Sequence, residues 1–363
     1  MNVLMLLTNP CNPDIRVIKE AKYIISKGHN VTILCWDRNK DTDLLEEETK
    51  YGIKFIRFRV ASVPGTGYKQ LLPFFKYAKK CRHYINKNRI DIVHCHDLDG
   101  YVTYRLLGKR KIPYVWDMHE NFIRGKGIKK KILKSTIQSG VKKSVYSLYV
   151  TRDVSSQLDE KAQQKMLLLR NYPDEEMVSY HEKTSSDVLR IGYHGGVRSQ
   201  IPQFAALFEA CKDMEDVRID INGTGIDFVE LKQMSELYKN VYVHGAYDGM
   251  KITNELYINT DLSFCGYNSQ NPNYQGDTEV VKFYEAIVTA TPMIMTSGLG
   301  MAKKIEDMQI GISVDTTNSE EIKQAVEMIK TDRTLLEKWR RNMVNVSDDY
   351  KWSEAVKILD NIY

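Results

Sequence analysis

Two acidic residues eight positions apart, Asp277 and Glu285, bracket the start of the segment DTEVVKFYEAIVTATPMI, which reads as a helix. Its positions Val281, Tyr284 and Val288 form one apolar stripe, Glu285 sits on the edge of that stripe, and Phe283 fills the far side. A carboxylate is thus carried into a mostly buried helix, where leaving it unpaired costs on the order of several kcal/mol. The first turn, through Thr278, Glu279, Val280 and Val281, presents N–H groups and the positive end of the helix dipole, and Lys282 adds a full charge. A diphosphate fits that chemistry. Glu285 would then accept hydrogen bonds from the vicinal hydroxyls of a ribose, and Asp277 would hold hydroxyls beyond the phosphates. A Lys282–Glu285 pair at i,i+3 accounts for the same residues with no ligand at all.

Two further strand-to-glycine junctions have the same character. YHGGVRS places Gly195, Gly196 and Arg198 after a strand, where glycines let a phosphate approach backbone N–H groups and the arginine offers a bidentate contact. NGTGIDF places Gly223 and Gly225 likewise, although a tight connection explains that spacing better. No G-x-G-x-x-G follows the first strand, where the chain reads TNPCNPDIRVIKEA, and this argues against a dinucleotide cofactor.

In the first half, HCHDLDG and DMHENF fall where strands end. His94 and His96 alternate on one strand and share a face, an arrangement that suits a metal, but no third ligand stands at a characteristic spacing. Asp97 and Asp99 form a D-x-D. His119 is flanked by Asp117 and Glu120, either of which could orient its imidazole for contact with a substrate hydroxyl or for acid-base work.

Positioning these groups requires a particular framework. Apolar strand-like runs alternate with helical stretches along the whole chain, which predicts α/β architecture with parallel sheets covered on both faces. The irregular stretch RNYPDEEMVSYHEKTSSD interrupts the series, so residues 1–172 and 189–345 read as two doubly wound, Rossmann-like domains joined by a linker over 173–188. The segment YKWSEAVKILDNIY within 346–363 reads as a closing amphipathic helix that could pack on either domain. Ligands of such sheets bind at the carboxyl ends of strands, and with two domains the cleft between them is the expected site.

Charge divides the same way. Residues 1–172 carry 33 Lys and Arg against 16 Asp and Glu, a net of +17, whereas the remainder carries 19 against 31, a net of −12. No acidic residue occurs between Val60 and Ile90, and KQLLPFFKYAKKCRHYINKNR and the run from Ile128 to Lys143 mix lysines with apolar residues. That mixture favours an anionic membrane surface or an acidic substrate over nucleic acid, and a solvated helix face is the plainer alternative. No apolar run is long enough to span a membrane and no signal peptide is legible, which predicts a cytoplasmic protein. Six scattered cysteines without a CxxC read as reduced and structural.

The fragments DIRVIKEAKYIISKGHNVTILCW, IDIVHCHDLDGY, IPYVWDMHENF, IGYHGGV, INGTG, NVYVHGAYDGMKITNELYINTDL and VVKFYEAIVTATPMI occur in an order and spacing that resemble the GT-B-fold glycosyltransferases of family 4. The resemblance covers nearly the whole chain, and YKWSEAVKILDNIY resembles the family's final helix, which crosses back to the first domain. It implies two Rossmann-like domains facing each other across a cleft, the first binding an acceptor and the second a nucleotide-diphosphate sugar, most commonly UDP-linked. It implies catalytic roles for His119, Asp277 and Glu285. Gly195, Gly196, Arg198, Gly223, Gly225, Tyr247, Thr278, Glu279, Val280, Val281 and Lys282 would hold the donor, and Asp14, Arg16, His96, Asp97 and Glu120 the acceptor. It further implies retention of anomeric configuration with no cofactor and no metal, which discounts the D-x-D. Two departures stand out: Asp277 replaces the commoner Glu, and Arg198 lacks a lysine within the next turn, a charge that Lys282 is placed to supply. The basic first domain suggests a polyprenyl-diphosphate-linked glycan acceptor at the inner face of the plasma membrane, as in capsule, O-antigen or cell-wall assembly. A nucleotide-sugar epimerase and a non-catalytic partner subunit of a glycan-assembly complex remain as alternatives.

Overall fold

The computed structural model describes residues 1–39, 43–63, 66–108, 112–123, 127–183, 186–271, 274–276 and 278–363. The chain divides into two compact units, Met1–Asn171 with Val356–Tyr363, and Tyr172–Ala355.

The first unit is built on eight strands: β1 Asn2–Leu7, β2 Asn30–Asp37, β3 Glu47–Lys50, β4 Ile53–Arg59, β5 Ile92–His96, β6 Tyr114–Met118, β7 Ser147–Tyr149 and β8 Met166–Leu168. They lie in the order β3-β4-β2-β1-β5-β6-β7-β8. Every pairing is parallel except β3 with β4. The strands from β1 to β6 are apolar almost without break because helices cover both faces. β3, sequence EETK, is the exception that no apolar pattern announces: it is an exposed antiparallel edge whose residues need satisfy only one neighbour. The order reverses between β2, β1 and β5, so the carboxyl ends of β1 and β5 flank the switch point at which such sheets bind ligands.

Helix α1, Ile15–Ser26, follows β1. Asp14 caps it, its side chain accepting from the Val17 N–H at 3.4 Å, and Asn9 holds the other carboxylate oxygen. The acceptor role expected of Asp14 therefore competes with a capping role. α1 buries Arg16, Lys19 and Glu20 beside Val17, Ile18, Ala21 and Ile24, so three charged residues enter the core of this unit. Helices α2, Leu71–Lys87, α3, Asp97–Leu106, and α4, Gly127–Lys143, complete the layers that concern the site.

The second unit is a six-stranded, wholly parallel sheet in the order β11-β10-β9-β12-β13-β14. Its strands are β9 Leu189–His194, β10 Val217–Asn222, β11 Val241–Gly245, β12 Leu262–Cys265, β13 Met293–Thr296 and β14 Gly311–Val314. Alternation along the strands splits its core in two: Phe264 and Ile294 join one cluster, Cys265, Met293 and Met295 the other, with Phe283 and Tyr284. Among the described residues no helix or strand lies between β8 and β9, yet that stretch is not loose. Lys183 is drawn into the second unit, its ammonium donating to the Tyr257 carbonyl at 2.9 Å and to Thr291 Oγ1 at 2.6 Å. The closing segment is not one helix: Trp352–Ala355 is a single α turn of the second unit, and Val356–Asn361 is a 3-10 turn whose Val356 and Leu359 are buried in the first. All six cysteines are free and buried. No described helix is long and apolar enough to cross a membrane.

Candidate functional site

At the end of β6, His119 is held by two carboxylates. Its Nε2 lies 2.6 Å from Asp117 Oδ2, its backbone N–H donates to Asp97 Oδ1 at 3.0 Å, and its Nδ1 stands 3.5 Å from Asp97 Oδ2. Burial alone would push the imidazole down, but Asp117 and then Asp97 more than offset it and raise the group to about 9. Of the two flanking acids, Asp117 orients the ring, while Glu120 is exposed. Asp97 adopts φ +58° at the first position of α3, a left-handed backbone that an L residue holds only under constraint. Its carboxylate on His119 and the bond from Trp116 Nε1 to its carbonyl, 2.9 Å, supply that constraint. Asp99 of the D-x-D turns elsewhere, 3.8 Å from Arg38.

Below His119 the charges continue inward. Arg16 donates to both oxygens of Asp117, at 2.9 and 2.8 Å, and to the Leu169 carbonyl at 3.0 Å, while its Nε stands 3.1 Å from Glu20. Arg16 and His96 were expected to meet the acceptor. Both are buried, at 4% and 1% exposure, and serve the interior of the unit instead. His96 Nδ1 sits 3.3 Å from His119 Nε2. Burial, reinforced by Asp117, pushes the Glu20 carboxyl well above its ordinary range, while Arg16 and His119 overcome burial to hold Asp117 well below its own. Glu20 and Tyr363, whose hydroxyl is 2.7 Å from His94 Nδ1, were not foreseen. The signal for Glu20 was present: a charged i,i+4 partner of Arg16 on a helix with no polar face to spare.

In the second unit the helix Val281–Val288 starts at Val280, which provides no side-chain cap, and no acidic residue occupies its first turn. That is an open helix N-terminus, the arrangement that receives anions. Lys282 does not lie along the helix towards Glu285. It reaches over the ring of Tyr193, 4.5 Å from the centroid, and a Cβ on Gly195 would come 2.6 Å from its Nζ. Gly195, at φ +137°, is therefore needed both by its backbone and by the lysine. Glu285 is half-buried and accepts from the Tyr257 hydroxyl at 3.1 Å. Burial, and after it the Glu285 carboxylate, raises the Tyr247 hydroxyl, so Tyr247 shares that neighbourhood.

Other expected donor residues divide. Gly223 and Gly225 are explained by backbone packing: a Cβ on either would lie within 2.0 Å of the Gly195 or Val197 carbonyl oxygen, and the two loops are tied by Gly195 N–H to Asn222 O and Val197 N–H to Thr224 O. Gly196 has open space at the Cβ position, with nothing closer than 3.8 Å, and Arg198 is exposed beside it. The Glu279 side chain is engaged by Lys304 and by the Tyr284 hydroxyl, so only its backbone remains for a ligand. Thr278 is half-buried and Val281 is exposed. Asp277 lies outside the described residues.

The sequence of residues 15–163 matches the model of Glycosyltransferase Family 4. No curated protein sequence gives a match. Among solved structures, the chain is similar to sucrose-phosphate synthase from Thermosynechococcus elongatus at TM-score 0.77 and 12% identity, over 100% of this chain and 98% of that one. It is similar to a glycosyltransferase from Rickettsia africae at TM-score 0.70 and 16% identity, over 100% and 97%. It is also similar to Anabaena Alr3699/HepE, solved with UDP and glucose, at TM-score 0.69 and 13% identity, over 98% of each chain. The shared architecture is the GT-B fold of glycosyltransferases.

Proposed function

We propose, from a family 4 match across most of the first unit and a GT-B fold throughout, that the chain is a retaining glycosyltransferase that takes a sugar from a nucleotide diphosphate. The observation that carries the reading is the convergence at one helix start: an uncapped N-terminus, the Lys282 ammonium against the Gly195 turn, and Glu285 one turn further in. A diphosphate would lie on the helix N–H groups and Lys282, and the ribose hydroxyls would donate to Glu285. UDP is the favoured base because HepE, of the same fold, was solved with UDP. His119 would contact the transferred sugar through Nδ1, the ring nitrogen that is less tightly held, and Asp277 would hold its hydroxyls.

The chemistry is the departure of a diphosphate, which positioned positive charge assists; a double displacement through two carboxylates is not required. Transfer then needs no cofactor and no catalytic metal. The D-x-D supports this, since Asp97 is turned to His119 and Asp99 to Arg38.

For the acceptor, a polyprenyl-diphosphate-linked glycan at the inner face of the plasma membrane suits the first unit. α2 exposes Leu72 and Phe75 beside Lys76 and Lys79, and a groove of about 820 Å³ along it is lined by Phe58 and Tyr84 with Lys76, Lys80, His83 and Lys87, against the single acid Glu47. α4 adds exposed Ile128 and Ile132. Apolar side chains within a cationic rim suit an anionic lipid surface.

The test is thermal stabilisation by UDP-, GDP-, ADP- and TDP-sugars of the purified chain and of Glu285→Ala, followed by nucleotide diphosphate release with lipid-linked acceptor. Stabilisation by one donor, lost in the variant, supports the donor site, and release only with acceptor separates a transferase from an epimerase. No stabilisation by any donor and no release would instead support a non-catalytic subunit.

A further inference from the structure

Beneath His119 the first unit gathers four side chains of metal-ligating type: Glu20 from α1, His94 and His96 from β5, and Asp117 from β6. One ligand atom from each lies within 4.8 Å of all the others, and all four side chains are buried. The transfer reaction gives Glu20 and His94 nothing to do.

The hydrogen bonding of the two histidines points to what is missing. His94 Nδ1 is 2.7 Å from the Tyr363 hydroxyl, and His96 Nδ1 is 3.3 Å from His119 Nε2 and 3.5 Å from Asp117 Oδ2. Both Nε2 atoms, and both carboxylate oxygens of Glu20, are buried without a hydrogen bond among the described residues. A histidine whose one nitrogen is fixed by a partner while the other stands unpartnered among carboxylates has the outer-shell arrangement of a metal ligand. Glu20 Oε2 lies 3.4 Å from His94 Nε2, close to the roughly 3.3 Å that separates ligand atoms on a four-coordinate zinc with bonds of about 2.0–2.1 Å.

Arg16 stands against Oε1 of Glu20, which leaves Oε2 towards the imidazoles, and it donates to both oxygens of Asp117.

We propose that Glu20, His94, His96 and Asp117 form a structural site for a divalent transition-metal ion, zinc by its nitrogen and carboxylate donors. The ion braces α1, β5 and β6 directly under His119. With every ligand buried it offers no open position to a substrate, so it is separate from the proposed transfer chemistry. It was hidden in the sequence because the third and fourth ligands come from other elements than the H-x-H pair.

The experiment is the metal content of the full chain, purified without a metal-binding tag or chelator, by inductively coupled plasma mass spectrometry. Stoichiometric zinc is expected, as are the visible d–d bands of four-coordinate cobalt in protein expressed in cobalt-supplemented medium. His96→Gln and Glu20→Gln should lose both, and His244→Gln, on the surface of the second unit, should keep both. The wild-type result stands even where a variant fails to fold: no bound metal and no cobalt bands overturn the proposal and leave a proton on Glu20 as the occupant. Equal zinc in wild type and in a folded His96→Gln overturns it as well.

Discussion

The Lys282 ammonium sits 4.5 Å above the ring centroid of Tyr193, joining the start of the Val281–Val288 helix to the turn that follows β9. On the proposed function, this ammonium would supply the charge that no lysine after Arg198 provides. Lys282→Met should remove one charge-assisted contact to the diphosphate, worth about 2 kcal/mol, and lower donor affinity roughly 30-fold while leaving the fold intact. Isothermal titration with the nucleotide diphosphate checks it, and unchanged affinity would remove Lys282 from the site.

Glu285 accepts from Tyr257 on one side, which fixes its carboxylate without using all of its lone pairs. Glu285→Gln keeps the shape and, if the ribose lies here as proposed, would weaken every bond from its hydroxyls. A fall of ten- to a hundredfold in kcat/KM is expected, about 1.4–2.7 kcal/mol of transition-state binding. Tyr257→Phe, which frees the carboxylate to turn, should show a smaller loss confined to KM. Equal effects of the two substitutions would mean that Glu285 acts on the fold and not on the donor.

Asp117 carries Arg16 on both oxygens and His119 on one of them, all in the interior. Removing it strands a buried guanidinium, at a cost of about 3–5 kcal/mol. Asp117→Ala should therefore lower the urea midpoint of the chain far more than Asp99→Ala, since Asp99 is itself exposed and stands 3.8 Å from Arg38. Comparable midpoints would show that water reaches Arg16 in the variant.

How much of this was legible follows from what each residue answers to. The strands of both sheets could be read because buried parallel strands are continuous apolar runs, and β3 could not because an exposed edge obeys no such rule. The glycines of NGTGIDF read better as a tight connection than as a phosphate loop, and they pack against the Gly195 and Val197 backbone, partners that no local pattern names. Arg16 was visible as a motif residue, yet only the burial of α1 on all sides reveals that its partners are internal. His119 and Asp117 were legible together because a strand end fixes the spacing of residues i and i+2 on one face.

α2 turns Leu72 and Phe75 outward at 64% and 52% exposure, among lysines with no acidic residue nearby in sequence. If this face meets anionic lipid, the chain should float with phosphatidylglycerol vesicles at low salt and not with neutral ones, and release should follow rising ionic strength. Leu72→Glu with Phe75→Glu should abolish flotation without lowering thermal stability, since both side chains are already in water. Equal recovery on neutral and anionic vesicles would sink the electrostatic part of the reading.

His194, at the end of β9, is buried between Asn222 and Thr260, and its bonds define one neutral form. The Thr260 hydroxyl donates to the Leu256 carbonyl at 2.8 Å, so its oxygen accepts from His194 Nε2–H at 2.9 Å, and Nδ1 accepts from the Asn222 amide at 3.3 Å. Burial, with Lys282 nearby, lowers the imidazole to about 3. In the unfolded chain the same group titrates near 6.5. Between those values the unfolded state binds a proton that the folded state refuses, so stability is complete above about pH 6.5 and declines on acidification towards pH 3, by up to about 1.4 kcal/mol per unit. His194→Gln can still donate to Thr260 but cannot take up the proton. Its unfolding free energy should be lower than that of the wild type at pH 7.5 and should fall less steeply to pH 4.5, the carboxylates contributing equally to both. Parallel slopes in urea titrations across that range would assign the acid sensitivity to groups other than His194.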